Sequence, residues 1–385
     1  MSKLTIGRRN FLRAGAASLF FAGLPVTSFS QTKPVGNMAV IILEGGLDGL
    51  AAIAPIGDPD LMRMRRSVTP DDYLALNDFF GLHPSLKFYA SLMARGHASA
   101  VHATSFPYTK RSHFEGQNFI EGGGISPFSE KTGWLGRALD LADVPGRALS
   151  LDMPLILRGY NKNDNFYPAG IRGSRKPDET LVNKIAMGHQ MDAAQLFSQV
   201  AAKTKENAQV PRDPASLAQY AGRAMAAPGG PVASVIRVAE FDTHANQVNS
   251  KNTNQGRLAD QLGVVDDVVA GYRRGLGDAW EDSIILTITE FGRTVSVNGT
   301  RGTDHGYGSV GLLAGGGLKG SGVLTDWPGL SKKDQFEKRD LMTTIDYRSV
   351  CAACIEKAFG LDHDLIASQV FFTPDLPRVY EHLFS

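Results

Sequence analysis

Short apolar runs recur along this chain with amphipathic stretches between them, and that rhythm limits the fold more than any other feature. Met38–Leu43, Ala98–Ala103, Met153–Leu157, Val232–Phe241, Ser283–Thr289 and Val310–Ala314 are apolar, often β-branched, and bounded by Gly, Pro or charged residues, so each is predicted to be a buried strand. Pro84–Arg95, Ser112–Glu121 and Gly256–Leu276 carry helical patterns instead. In the last of these, Leu258, Leu262, Val265, Val269 and Tyr272 fall at spacings of three and four. Strands alternating with helices predict a largely parallel sheet covered by helices on both faces, a three-layer α/β/α arrangement.

In such folds ligand chemistry gathers just beyond the carboxyl ends of strands. After the first run comes Glu44-Gly45-Gly46-Leu47-Asp48. Its glycines allow close backbone approach, and Asp48 or Glu44 would offer hard anionic oxygens to a cation. No Lys-Ser/Thr follows, so this is not a phosphate-cradling P-loop. Beyond the second run, Arg111-Ser112-His113-Phe114-Glu115 opens a helix. Ser112 and Glu115 have capping-box spacing. The same helix start, with its free N–H groups, would also stabilise an attacking hydroxyl and an anionic phosphoryl or sulfuryl group.

Asp242 and His244 lie two apart on an extended segment and so face one side. Mixed carboxylate and imidazole ligation suits zinc, manganese or iron better than calcium. The run ending at Thr289 delivers Glu290-Phe291-Gly292-Arg293, and a glycine-rich loop then presents Asp304-His305-Gly306. Arg293 could neutralise Glu290 or bind substrate oxyanions. Four polar clusters after four separate strands point together to a metal-assisted hydrolytic site.

The N-terminus reads as an address. Gly7-Arg8-Arg9-Asn10-Phe11-Leu12-Arg13 is a twin-arginine pattern, the apolar stretch Ala14–Pro25 is too short to span a bilayer, and Ser28 and Ser30 fit a peptidase site after residue 30. Its removal takes four of the 40 basic residues and none of the 39 acidic ones, leaving a charge of about −3. No basic stripe interleaved with aromatics marks a nucleic-acid binder. Residues 31–385 read as a single α/β domain, with a helical insertion or cap at about 159–230 bounded by Ala227-Pro228-Gly229-Gly230-Pro231. Cys351 and Cys354 form a C-x-x-C with no partner pair elsewhere, and are read as small apolar residues on one helical face rather than a redox or zinc motif.

At Leu43–Leu50, Ser112–Gln117, Phe241–Gln247, Glu290–Thr294 and Gly302–Gly306 the chain resembles the twin-arginine-exported bacterial family catalogued as domain of unknown function 1501. That family is similar to the alkaline phosphatase and sulfatase superfamily. The resemblance implies an α/β/α fold and a metal-dependent attack on phosphate or sulfate esters. It casts Asp48 as the first-strand ligand, Ser112 as the nucleophile and His305 as the last ligand. Asp242 with His244 resembles the superfamily's D-x-x-x-H at a shorter spacing, and Glu290-Phe291 stands where that superfamily has Asp-His.

The expectation is therefore a periplasmic hydrolase in which Asp48, Asp242, His244, Glu290, Asp304 and His305 bind one or two divalent cations, zinc, manganese or similar. Ser112 attacks, and His113, Arg111 or Arg293 stabilise the transferring group. The substrate would be a small-molecule or glycan ester, and the twin-arginine translocase a partner during export, with no nucleic acid and no membrane span after processing. The alternative is a non-catalytic exported protein that uses a degenerate pocket to bind a ligand.

Overall fold

The computed structural model describes residues 36–149, 153–165, 213–318 and 320–384. The signal segment 1–30 and positions 166–212 of the anticipated insertion lie outside them. Among the described residues a single large sheet dominates, built from β1 (Asn37–Leu43), β2 (Ala98–Ser105), β3 (Gly146–Ala148), β4 (Asp164–Asn165), β5 (Ala233–Val238), β6 (Ser283–Thr289), β7 (Ser309–Ala314), β8 (Val323–Leu324) and β9 (Ile345–Asp346). The order is β8-β2-β7-β6-β1-β5-β3-β4, with β9 also paired to β2. β7 runs antiparallel to β2 and β6, while the other pairs are parallel.

That topology decides where the site lies. β1, β2, β5 and β6 point the same way, so the loops after them gather at one edge of the sheet. Antiparallel β7 brings the loop that precedes it, with Asp304 and His305, to that same edge.

The strands are central because both of their faces are apolar. On β1, Met38, Val40 and Ile42 pack into one core, while Ala39, Ile41 and Leu43 pack into the other. Each such Val, Ile or Leu contributes about 1.5–3 kcal/mol on burial. One core is covered by α2 (His113–Gly122), α3 (Trp134–Ala142) and α6 (Tyr347–Phe359), and the other by α1 (Lys87–Met93), α4 (Pro214–Ala226) and α5 (Arg257–Leu276). The α5 stripe of Leu258, Leu262, Val265, Val269 and Tyr272 is fully buried. Cys351 and Cys354 are buried and unpaired in α6.

One expected strand is absent. Met153–Leu157 forms a short helical turn over Leu155–Leu157. Pro154 offers no N–H to a ladder, and the Ile156 N–H donates to Glu121 Oε2 at 3.0 Å instead. Of the segment 159–230, Asp164–Asn165 forms the edge strand β4 and Pro214–Ala226 packs as α4 against α5. No helix among the described residues is long and apolar enough to cross a membrane.

Candidate metal centre

Three histidines and one aspartate meet at the sheet edge, and each histidine is fixed through the same ring nitrogen. His113, in the first turn of α2, approaches Glu290 Oε1 through Nδ1 at 2.8 Å. His244, after β5, approaches Asp304 Oδ1 through Nδ1 at 3.0 Å. His305, before β7, approaches the Arg111 carbonyl through Nδ1 at 3.0 Å. A carboxylate and a carbonyl only accept, so each Nδ1 carries the proton and each neutral ring keeps its lone pair on Nε2.

Those lone pairs point at one another. His244 Nε2 lies 2.9 Å from His305 Nε2, and Asp242 Oδ1 lies 3.1 Å from both. His113 Nε2 is 3.5 Å from Asp242 Oδ2 and, although buried, has no hydrogen-bond partner. Crowded lone pairs beside a carboxylate repel unless a cation or proton lies between them. Ligands in one shell at about 2.0–2.2 Å from an ion sit roughly 3 Å apart, so the donor set fits a borderline divalent cation. His113, Asp242 and His305 alone place donor atoms within 4.8 Å of one another.

The surroundings tune these groups. Burial raises Asp242, but the Arg293 hydrogen bond at 2.8 Å and its charge outweigh that, and its pKa is held low. The hydrogen bond to Glu290 raises His113, while burial lowers His305. Asn298, donating to Asp304 at 3.2 Å, holds that carboxyl low. Phe291 walls the site, its ring 4.9 Å from His113 and 4.8 Å from His305.

The anticipated residues therefore divide. Asp242, His244 and His305 present donor atoms to the common point, and His113 joins them as a donor rather than standing aside for the substrate. Glu290 and Asp304 face the Nδ1 atoms of His113 and His244, the nitrogens turned away from Asp242; Glu290 also accepts the Gly45 N–H at 2.8 Å. Gly45 is required there, since a Cβ would come within 2.3 Å of the Asp242 nitrogen. Asp48 is fully buried and ion-paired with Arg65, and accepts from Gln247 Nε2 at 2.6 Å, which withdraws it from the centre. Glu44 pairs with Arg237 at 2.6 Å.

Arg111 is turned away towards Asp340 and Glu337, whereas Arg293 is buried against Asp242 through Nη1 and leaves its buried Nη2 without a hydrogen-bond partner. Ser112 is the residue before α2; its hydroxyl caps no N–H, and Glu115 bonds Tyr108 Oη at 3.0 Å instead of closing a capping box. Arg65, Tyr108, Asn298 and Asp340 belong to this network but carry no local sequence signal, and Gln247 is marked only by the family resemblance. Arg65, Gln247, Asn298 and Asp340 act through partners in other loops, and Tyr108 through Ser112 and Glu115.

Among solved structures, the chain is similar to the C-terminal periplasmic domain of EcEptC from Escherichia coli, at 11% identity over 90% of this chain and 88% of that one, with a TM-score of 0.40. It is also similar to the lipoteichoic acid synthase LtaP from Listeria monocytogenes (12%, 80% and 74%, 0.35) and to alkaline phosphatase from the Antarctic bacterium TAB5 (10%, 76% and 94%, 0.35). No curated protein matches. The model of a family described as protein of unknown function DUF1501 matches residues 64–367. With that match spanning most of its length, the chain belongs to the DUF1501 family.

Proposed function

We propose that this protein is an exported hydrolase of phosphate or sulfate esters that holds one divalent cation on His113, Asp242, His244 and His305. The observation that carries the reading is the common orientation of the three rings: each Nδ1–H is given to a fixed acceptor and each Nε2 is aimed at Asp242. A single ion is favoured because Asp48, the further carboxylate expected to ligate, is neutralised by Arg65. A cation bound there would supply Lewis-acid stabilisation to the ester oxygens.

The chain's own groups do the rest. Ser112 sits at the amino end of α2 with a hydroxyl free of capping duty, beside unsatisfied N–H groups that favour an anion. It is the assigned nucleophile. Arg293 holds Asp242 ionised and in place. The twin-arginine pattern at Arg8-Arg9 supports export to the periplasm, tested by fractionating cells that carry Arg8→Lys with Arg9→Lys.

Metal analysis of cytoplasmically folded protein, with turnover of aryl phosphate and aryl sulfate, tests the assignment. The expected result is one ion per chain, lost with activity in His305→Ala and retained without activity in Ser112→Ala. Full metal content and full activity in both variants would overturn it. The engagement of Arg111 with Asp340 and Glu337 favours one rival, a non-catalytic binding protein. Wild-type protein that holds metal but turns over neither ester would support that rival.

A further inference from the structure

We propose that Asp340 is a positioning residue for this centre: acting through Arg111, it fixes the peptide group that keeps His305 in its ligating tautomer. The inference rests on the metal reading above. His113 and His244 are oriented by carboxylates, whereas His305 depends on a main-chain carbonyl, that of Arg111, at 3.0 Å. The direction of that carbonyl is set by an unfavourable backbone, because Arg111 has φ 61°, a region that residues with a Cβ avoid. Something must hold it there.

The structure supplies two holds. On one side of the peptide, the Ser112 N–H donates to Tyr108 Oη at 3.1 Å. On the other, the Arg111 side chain reaches a carboxylate with no solvent exposure: Nε and Nη2 lie 2.7 and 2.6 Å from Asp340 Oδ2. Glu337 at 2.5 Å and the Phe336 ring, 5.8 Å from the guanidinium, complete the clamp. Asp340 does not swing freely. Its N–H donates to Phe336 O at 3.0 Å, and the neighbouring Arg339 carbonyl accepts from Val295 N at 3.1 Å. The segment 293–295 reached in this way pairs with His305 itself, through the Arg293 to His305 bridge. The backbone of His305 and the acceptor of its Nδ1–H are thus referred to one turn.

If the clamp is released, Arg111 can relax to negative φ and its carbonyl leaves Nδ1. The imidazole then gains access to the tautomer with the proton on Nε2, which cannot ligate.

Asp340→Asn and Arg111→Lys test this. The first keeps shape without charge, and the second keeps charge without the planar fork. Purified metal-free protein is titrated with Co²⁺ and followed by its d–d absorption, while ¹⁵N shifts of the His305 ring report the tautomer without metal. Both variants are expected to bind Co²⁺ about 10–100-fold more weakly, with an altered band and a larger Nε2–H population at His305. Wild-type affinity, band and tautomer in both would overturn the proposal, even if thermal stability fell. If Asp340→Asn does not fold, Arg111→Lys decides. If wild-type protein takes up no Co²⁺, the metal reading fails, and the ring shifts still settle whether Asp340 sets the tautomer.

Discussion

Glu290→Gln is the sharpest test of the claim that this carboxylate orients rather than ligates. Glu290 has no solvent exposure, and its Oε1 accepts from both His113 Nδ1 and the Gly45 N–H, each at 2.8 Å. The amide keeps the shape and one carbonyl acceptor but loses the charge. Each hydrogen bond to a charged acceptor contributes about 1.5–3 kcal/mol, against about 0.5–1.5 kcal/mol for a neutral one. Both donors meet the same oxygen, so a carbonyl kept there serves both as a neutral acceptor, and the fold should lose about 1–3 kcal/mol. The effect on metal is of another kind. A neutral carbonyl at Oε1 holds the His113 Nδ1–H less firmly than the carboxylate does, so the ring gains access to the tautomer with its proton on Nε2, which takes that lone pair away from a cation. Loss of such an orienting partner weakens metal binding about 10–100-fold, equal to about 1.4–2.8 kcal/mol. Urea unfolding of metal-free protein and competition for Zn²⁺ against a chromophoric chelator measure the two separately. If Glu290 were itself a ligand, its Oε1 would leave His113 on loading, and Asp304→Asn would then weaken binding far less than Glu290→Gln. The two variants are expected to fall within about tenfold of each other; Glu290→Gln abolishing binding while Asp304→Asn leaves it intact would refute the reasoning.

Three further outcomes are expected. Burial pushes the His102 imidazole down to about 4; its Nδ1 accepts from Ala103 N at 2.7 Å and its Nε2–H donates to Ile53 O at 2.9 Å. The unfolded ring titrates near 6.5, so this contribution is fully present above about pH 6.5 and is lost as pH falls towards 4, by about 3 kcal/mol. Urea melts of His102→Gln should show a correspondingly flatter acid dependence, and an unchanged slope counts against the assignment. A Cβ at Gly306 would lie 2.4 Å from the Arg293 carbonyl carbon; Gly306→Ala should therefore destabilise by about 1–3 kcal/mol or more, and a melting temperature equal to wild type would contradict the packing. Burial raises the pKa of both Cys351 and Cys354, so iodoacetamide at pH 8 should label them only in denaturant, and fast labelling of native protein would show α6 to be more open than described.

The architecture was legible in the sequence because it rests on local pattern. A strand buried on both faces must be largely apolar, as Ile284–Ile288 is apart from Thr287, and a helix against a sheet must carry an apolar stripe, as Leu258–Tyr272 does. Met153–Leu157 was misread for the same reason: apolar composition suits any buried backbone, and the choice was made by Pro154 and by Glu121, a residue far along the chain.

The site was half legible, and the dividing line is physical. Strand order brings residues such as Asp242, Glu290 and His305 to one edge, so a list of charged residues after strands finds the neighbourhood. It does not say which atom faces which. A carboxylate set behind an imidazole meets the ring nitrogen turned away from the other donors, which is the position of Glu290 behind His113, 177 residues earlier in the chain. Asp48 shows the other limit. A buried carboxylate needs a counter-charge, and either a metal or a guanidinium will serve. Arg65, at the end of the helix Pro59–Arg65, carries no pattern that marks it as internal, yet it is almost wholly buried, and it also donates to the Thr294 carbonyl at 2.6 Å. Arg65 is thus tied to the segment next to Arg293, and Arg293 to Asp242. Each of these two carboxylates at the sheet edge already has an arginine, and Asp242 adds to its arginine the Nε2 atoms of His244 and His305. Among the described residues, the lone pairs that crowd with no proton between them are those beside Asp242, and the proposed cation is assigned to that point.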